Sequence, residues 1–530
     1  LSYEIKREMR MKATAQVKNS EDKIIGFVID GRFVAAEEAR ANQNVIDNLA
    51  EDGDNRLKPV QDPLPVITLR RINQDRYHEI TSQNSLSREI QEQFENWRIH
   101  KSDYVLYLSG ARQTGKTTEI RKFIYKNYEN ILYIDLSVDR LRTDLEHCMQ
   151  GTMNMAFAFA GFCRQNRMVE FVDSPDTVIV LDEIQESVSI YNLIRQMQDG
   201  LRCHVIVTGS YLGKTINSRY FRPAGNVWNL EMLPLSFTEF CDAFGCRELL
   251  LSISLSGRGR TEDDQKLYEL YQIYIQIGGY PAVVDEYRKS GKKENCLELL
   301  KKLIQTFTEE SAAYFADDKC RLVFENVYKA AFTMMAYEKK GTSSKDIQKV
   351  TEFVKDATKE NVSRNEVNRA VSWLKYSGIL GGCDLYNQGK VSELLNERRF
   401  YFMDCGIANC IAGLTPVDNR TVTGILTENF AYTELYRVYQ SDLVKGDKPC
   451  CSVYQEYELD FMVVDREDRK YGIEIKSTDS DEPVSLQIYL EHHMVDEGYL
   501  AGKTRGGIRK DLYSIPIYTV GCRFPYHPDE

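Results

Sequence analysis

Residues 104–117 read YVLYLSGARQTGKT, and residues 177–183 read TVIVLDE. The first stretch is a short apolar run, then a turn bracketed by Gly110 and Gly115, then Lys116, Thr117 and Thr118 at the head of a helical pattern. The backbone N–H groups of Gly110, Ala111, Arg112, Gln113, Thr114 and Gly115 can surround phosphate oxygens there without side-chain obstruction. Lys116 would reach the β- and γ-phosphates of a nucleotide, and the Thr117 hydroxyl would ligate Mg2+. The helix that begins there points its positive dipole end at the anion. In the second stretch four apolar residues precede Asp182 and Glu183, and Asp182 stands 66 residues beyond Lys116. At a strand's C-terminal end, Asp182 can hold Mg2+ through water, and Glu183 can orient and deprotonate an attacking water. A buried strand followed by a solvated acidic helix start is the plain alternative. Its weight falls because the pair follows a phosphate loop in a sheet-compatible position.

Residues 205–210, VIVTGS, supply a third strand end. Thr208 and Ser210 stand where a polar side chain senses a γ-phosphate; a simple turn after a core strand is the competing reading. Arg219 and Arg222 follow in a loop, either as phosphate contacts in the same or a neighbouring subunit or as solvated surface. Short apolar runs at 104–109, 131–137, 177–182 and 203–210 alternate with helical patterns, one of them over 85–98. That alternation predicts a parallel sheet covered on both faces, an α/β core of the P-loop NTPase type.

Length and composition frame the rest. A chain of 530 residues exceeds one compact core, so three or four domains are expected. We divide it into a small N-terminal module (1–75), the ATPase domain (85–250), a helical domain (251–340), a winged-helix-like unit (341–400) and a second α/β domain (401–530). In the first, IIGFVI and RFVAAEEA flank Asp30-Gly31, a hairpin signal, a helical pattern runs on to about Leu49, and Pro59, Pro63 and Pro65 mark a linker. The net charge of −11 argues against non-specific nucleic-acid binding by the whole surface but leaves room for a local basic groove. The 13 cysteines show no CxxC pair and are expected as reduced thiols without metal. No apolar run approaches a membrane span, and LSYEIKREMRMK lacks the apolar stretch of a secretory signal, so a cytoplasmic protein without membrane contact is expected. Because residue 1 is Leu, the initiator is expected to be missing or unusual.

The ordered series GARQTGKTT, VIVLDEIQ, VIVTGSYLGK, AGNVWNLEMLPLSFTEF, GGYP at 278–281 and FYFMDCGIANCIAGL at 400–414 resembles a family of prokaryotic AAA+/STAND-like ATPases. The resemblance covers roughly 85–525. It implies an AAA+/ASCE-type core that binds ATP with Mg2+ and hydrolyses it, a winged helix, and a C-terminal domain related to restriction endonucleases. One departure is visible: the family commonly has Ala-Gly-Arg before PLSF, where this chain has Ala224-Gly225-Asn226. If that arginine contacts nucleotide or a neighbouring subunit, Arg222 would have to substitute.

The resemblance also directs attention to Glu428, Asp460, Glu474 and Lys476, and their spacing carries a physical argument. On a strand Glu458 and Asp460 share one face, as do Glu474 and Lys476 on the next, so two adjacent strands would cluster acids and a lysine. Glu428 sits on a predicted helix. The pattern Glu…Asp-(13 residues)-Glu-x-Lys matches the PD-(D/E)xK nucleases, in which Glu428, Asp460 and Glu474 would hold Mg2+ and Lys476 would orient the water or stabilise phosphate charge. Gln487 on the following helix is placed near. Two other readings stand beside this one: a solvated amphipathic hairpin, and an inherited fold without cleavage. In the winged-helix stretch, Val367, Val371 and Leu374 fall at helical spacing with Arg364, Arg369 and Lys375 outward, fit either for a DNA groove or for packing between domains.

Two functions are weighed. One is an ATPase whose nucleotide cycle controls a nuclease-like or nucleic-acid-binding C-terminal domain. The other is an ATP-driven signalling or defence switch whose C-terminal domain only makes contacts. A chaperone-like or segregation ATPase is neither supported nor opposed. DNA or RNA and further copies of the chain are the candidate partners besides nucleotide.

Overall fold

The computed structural model describes residues 66–526 apart from 101–102, 153, 211–226, 316–317, 340–345, 359–361, 387–396, 442 and 478–482, together with three strands nearer the N-terminus. Those strands, Ala13–Lys18, Ile24–Ile29 and Arg32–Ala35, form a small sheet with Val66–Thr68. Ile29 faces Arg32 across an antiparallel pair, the geometry expected of a hairpin around Asp30-Gly31; those two residues and the stretch toward Leu49 lie outside the described residues. A helix, Leu69–Gln83, follows directly, so the position taken as a module boundary at 75 falls inside a helix. Its Asn73 amide donates to the carbonyls of Tyr128 (3.0 Å) and Glu129 (2.9 Å), tying it to the end of the helix that leaves the phosphate loop.

The helix expected over 85–98 spans Ile90–His100. Its start is set from outside: the Glu239 carboxylate accepts the Glu89 N–H at 2.7 Å, and a carboxylate at a helix N-terminus satisfies an otherwise orphan donor. Phe94 and Trp97 of this helix are fully buried, with Phe94 packed on Phe123 at 5.3 Å between ring centroids. Five parallel strands follow in the spatial order Asn130–Asp135, Thr177–Asp182, His204–Thr208, Val105–Ser109, Val227–Glu231. The strand Thr177–Asp182 is buried along its whole length, which is why it reads as an unbroken apolar run rather than an alternating one. Separate apolar clusters cover the two faces. This is the parallel-sheet P-loop core that the motif order predicts. The order places the strand ending in Thr208 between the phosphate-loop strand and the Asp182 strand, so all three strand ends open at one edge.

Beyond 260 the chain is helical through Glu262–Ile277, Pro281–Ser290, Lys293–Phe315 and Asp318–Lys339. Two further helices, Asp346–Thr358 and Arg364–Tyr376, precede the antiparallel strands Leu380–Leu385 and Glu397–Phe402. Val367, Val371 and Leu374 point into the core while Arg364 and Arg369 are exposed and Lys375 is half-buried. That strand pair does not stand alone. It forms one end of a nine-stranded sheet continued by Cys450–Tyr454, Tyr457–Val464, Lys470–Ile475, Glu497–Gly502, Leu512–Pro516, Arg505–Arg509 and Arg258–Gly259. One apolar core runs from Leu233 to Tyr526 and draws on the helices, the strand pair and the C-terminal sheet alike. Among the described residues no helix is long and apolar enough to cross a membrane.

Candidate nucleotide site and C-terminal acidic pocket

Gly110 leaves its strand with φ +139°, and a Cβ there would lie 2.2 Å from the Met232 carbonyl oxygen, so the loop's first residue has to be glycine on both counts. Gln113 and Gly115 also take positive φ, and the helix Lys116–Asn127 starts behind them. Lys116 is buried, and its Nζ donates to the carbonyls of Gly110 (2.9 Å) and Ala111 (2.8 Å). Burial brings its ammonium down to about 8, against the pull of Glu183 and Asp182 toward the charged form.

The acids converge on the same place. Thr117 Oγ1 donates to Asp182 Oδ2 at 3.3 Å, and the Tyr133 hydroxyl donates to the same oxygen. Burial raises the Asp182 carboxyl while the Tyr133 hydrogen bond opposes that rise. Glu183 is a non-glycine residue at φ +53°, a sparsely populated conformation that the strand end imposes. Its carboxylate accepts from Ser210 N and Ser210 Oγ, both at 3.3 Å, and from Gln185. Lys116, Thr117, Glu183 and Ser210 line a cleft of about 530 Å³ whose walls also include Arg112, Gln113, Gly115, Thr118, Asn84, Leu86 and Pro281, and Asp182 stands behind Thr117. Of the two sensing candidates, Ser210 lines the cleft. Thr208 is wholly buried, and its hydroxyl has no hydrogen-bond partner among the described residues. Arg219, Arg222 and Asn226 lie outside the described residues.

Several cleft-supporting residues escape a motif reading. Arg88 is buried and donates to the Thr114 carbonyl in the phosphate loop (2.8 Å), to the Leu233 carbonyl (2.6 Å) and to Glu239 (3.0 Å). The loop's Arg112 pairs with Glu310 on the helix Lys293–Phe315 at 2.6 Å. Gly378 stands so close that a Cβ there would come 3.2 Å from Ala111 N. The GGYP stretch and FMDCG meet where Gly279 N donates to Asp404 Oδ2 at 2.7 Å, and Gly279 O accepts from Leu235 of PLSF at 2.7 Å. These three motifs thus form one buried joint beside the cleft.

The second site lies in the nine-stranded sheet. Glu428, Glu458, Asp460, Glu474 and Lys476 line one pocket of about 210 Å³, so the structure brings the predicted cluster together. Gln487 does not line it; its neighbour Leu486 instead offers a backbone N–H to Glu474 at 3.3 Å. At the centre sits Arg399, buried, within 2.8 Å of Glu428, 2.8 Å of Glu458 and 3.5 Å of Asp460. The Tyr401 hydroxyl donates to Glu428 at 2.6 Å, Ile475 N to Asp460 at 2.8 Å, and Lys476 pairs with Glu474 at 2.9 Å. Burial opposes the charge on Arg399, and Tyr401, Glu428, Asp460 and Glu458 more than compensate. Burial also raises the Glu474 carboxyl, with Lys476 opposing. The sequence does carry a signal for this: Arg399 and Tyr401 are two apart on a strand and share a face.

The two sites differ as metal sites. At the cleft, the Thr117 hydroxyl and Asp182 carboxylate are hard oxygen donors of the kind Mg2+ takes beside phosphates. In the C-terminal pocket the acids are committed to Arg399 and Lys476, and among the described residues no three His, Cys, Asp or Glu side chains are arranged to hold a metal ion. As it stands, that pocket does not fit one.

Residues 102–241 match the model of an AAA domain, and residues 268–418 match a domain of unknown function, DUF8612. The first match covers the phosphate loop, the acid pair and the third strand end, and the chain contains an AAA-type P-loop domain there. No curated protein matches the chain. Similar solved structures include Cdc6p from Pyrobaculum aerophilum, at 12% identity and TM-score 0.21 over 67% of this chain and 94% of that one. The Aeropyrum pernix ORC1 protein in complex with DNA aligns at 13% identity and TM-score 0.26, over 67% and 92%. A RuvB variant of Thermotoga maritima aligns at 12% and 0.26, over 57% and 89%. Likenesses this weak carry no argument for this chain.

Proposed function

We propose that the AAA domain at residues 102–241 binds ATP with Mg2+ and hydrolyses it, and that its nucleotide state acts on the C-terminal α/β region. The observation that carries this reading is one cleft lined by Lys116, Thr117 and Glu183 beside a glycine-bracketed loop, with Asp182 held to Thr117. In this reading Lys116 exchanges its loop carbonyls for the β- and γ-phosphates. The N–H groups of 110–118 cradle the phosphates, and Thr117 with Asp182 holds Mg2+, which neutralises charge on the phosphate oxygens when bound. Glu183 orients the water and takes its proton, with Ser210 and Gln185 holding the carboxylate in place. Ser210, rather than Thr208, senses the γ-phosphate.

Transmission is supported by contacts that leave the loop. Arg112–Glu310 and the Gly378 approach tie it to the helices and the strand pair, and the joint at Asp404 stands two residues beyond the strand that carries Arg399. The helix Asn419–Tyr439 carries Glu428 at one turn. About 9 Å further along it Glu434 accepts from Phe237 N, and about 13 Å along it Arg437 donates to the Pro234 carbonyl.

Nucleotide binding and turnover test this directly. Lys116→Ala should abolish ATP binding, and Glu183→Gln should keep binding while lowering turnover at least about 100-fold. Hydrolysis by Glu183→Gln at the parental rate would show the base assignment to be wrong. Arg399 among the acids favours the reading in which the C-terminal pocket makes contacts without cutting. Incubation with DNA or RNA, Mg2+ and ATP separates the two readings: cleavage lost in Asp460→Ala supports a nuclease. No cleavage, with light scattering that changes between ATP and ADP, supports a switch that assembles from copies of the chain.

A further inference from the structure

We propose that Arg399 is the resident cation of the C-terminal acidic pocket and closes it to a divalent metal, so that metal-dependent chemistry there requires Arg399 to withdraw. Among the described residues the pocket is lined by four carboxylates, Glu428, Glu458, Asp460 and Glu474, and two cations, Arg399 and Lys476. Arg399 alone reaches three of the four, at 2.8, 2.8 and 3.5 Å. A guanidinium in that position supplies the charge and the hydrogen-bond donors that an ion would otherwise supply. A buried guanidinium there also puts a positive charge where a divalent cation would have to sit, and in a site of low dielectric the two repel strongly. The remaining acceptor capacity is partly spent as well, since Tyr401 donates to Glu428, Ile475 N to Asp460, and Lys476 and Leu486 N to Glu474.

Arg399 is also linked through its strand to the rest of the molecule. It lies on the strand Glu397–Phe402, one end of the nine-stranded sheet, and that strand runs directly into Asp404 at the joint beside the nucleotide cleft.

The inference rests on the C-terminal pocket alone and on none of the nucleotide-site roles, so loss of the ATPase reading leaves it standing. Its test is Mn2+ binding to the nucleotide-free full chain, followed by electron paramagnetic resonance and by thermal melting. Asp460→Asn should leave the parental Mn2+ isotherm unchanged. Arg399→Gln should gain one Mn2+ site at least tenfold tighter than any in the parent, with a Tm that rises on adding Mn2+. Arg399→Gln/Asp460→Asn should lose both. The proposal is overturned if Asp460→Asn removes a Mn2+ site from the parent, or if folded Arg399→Gln gains none. Should Arg399→Gln fail to fold, the parental comparison with Asp460→Asn decides by itself.

Discussion

Asp404 carries a carboxyl inside the joint beside the nucleotide cleft. It is fully buried, and burial lifts its carboxyl to about 6 against the backbone N–H groups of Gly279, Ile407 and Gly406 that favour the anion. Its ordinary value is near 3.8, so between about pH 4 and 6 the folded chain binds more protons than the unfolded one. Stability contributed at this position is therefore present at the acid end and is lost as pH rises through that window, by about 3 kcal/mol in total. Urea melts of the parent and Asp404→Asn across this range should show the parent's relative stability declining toward neutral pH. A constant difference between the two proteins would mean that Asp404 does not titrate there. The carboxylate takes two N–H groups at once, from Gly279 and Ile407. An asparagine offers one oxygen and turns an N–H toward the other donor.

Among the elements, the segment before the helix Ile90–His100 acts as a strut under the phosphate loop. Arg88 links the loop carbonyl of Thr114 to Leu233 and Glu239, all three inside the protein. Arg88→Met should cost about 3 kcal/mol because it leaves Glu239 buried without its cation. It should also weaken ATP binding, since the Thr114 carbonyl loses the donor that fixes the loop. Pairing Arg88→Met with Glu239→Gln should recover part of the stability, and a double-mutant cycle on urea midpoints measures the coupling. If the two losses simply add, the strut is not an energetic unit.

At the scale of the whole molecule, the shared core decides what can fold alone. The strand Glu397–Phe402 straddles the boundary at 400/401, and the core from Leu233 to Tyr526 is shared by the helical, strand-pair and C-terminal regions. A 401–530 fragment loses the two strands that end the sheet beyond Cys450–Tyr454 and the helices that bury the other face of Asn419–Tyr439. It should show no cooperative melt by calorimetry, whereas a 232–530 fragment should melt as one unit. A cooperative transition in the shorter fragment would overturn this. Arg399 would then be supplied to the acids by a region that folds separately from them.

What was legible in the sequence is local. The phosphate loop, the acid pair and the third strand end are runs of consecutive residues, and their glycines, apolar periods and terminal acids are dictated by backbone geometry within one or two turns of chain. The clustering of Glu458 with Asp460 and of Glu474 with Lys476 was legible for the same reason, because strand alternation puts alternate residues on one face. Tertiary structure alone decided the partners. Arg88 meets Glu239 across 151 positions and Gly279 meets Asp404 across 125, and no periodicity joins residues so far apart. It also decided that the predicted acid cluster has an arginine at its centre: the carboxylates gathered in one pocket repel one another, and the fold answers with Arg399 from the strand at the end of the sheet.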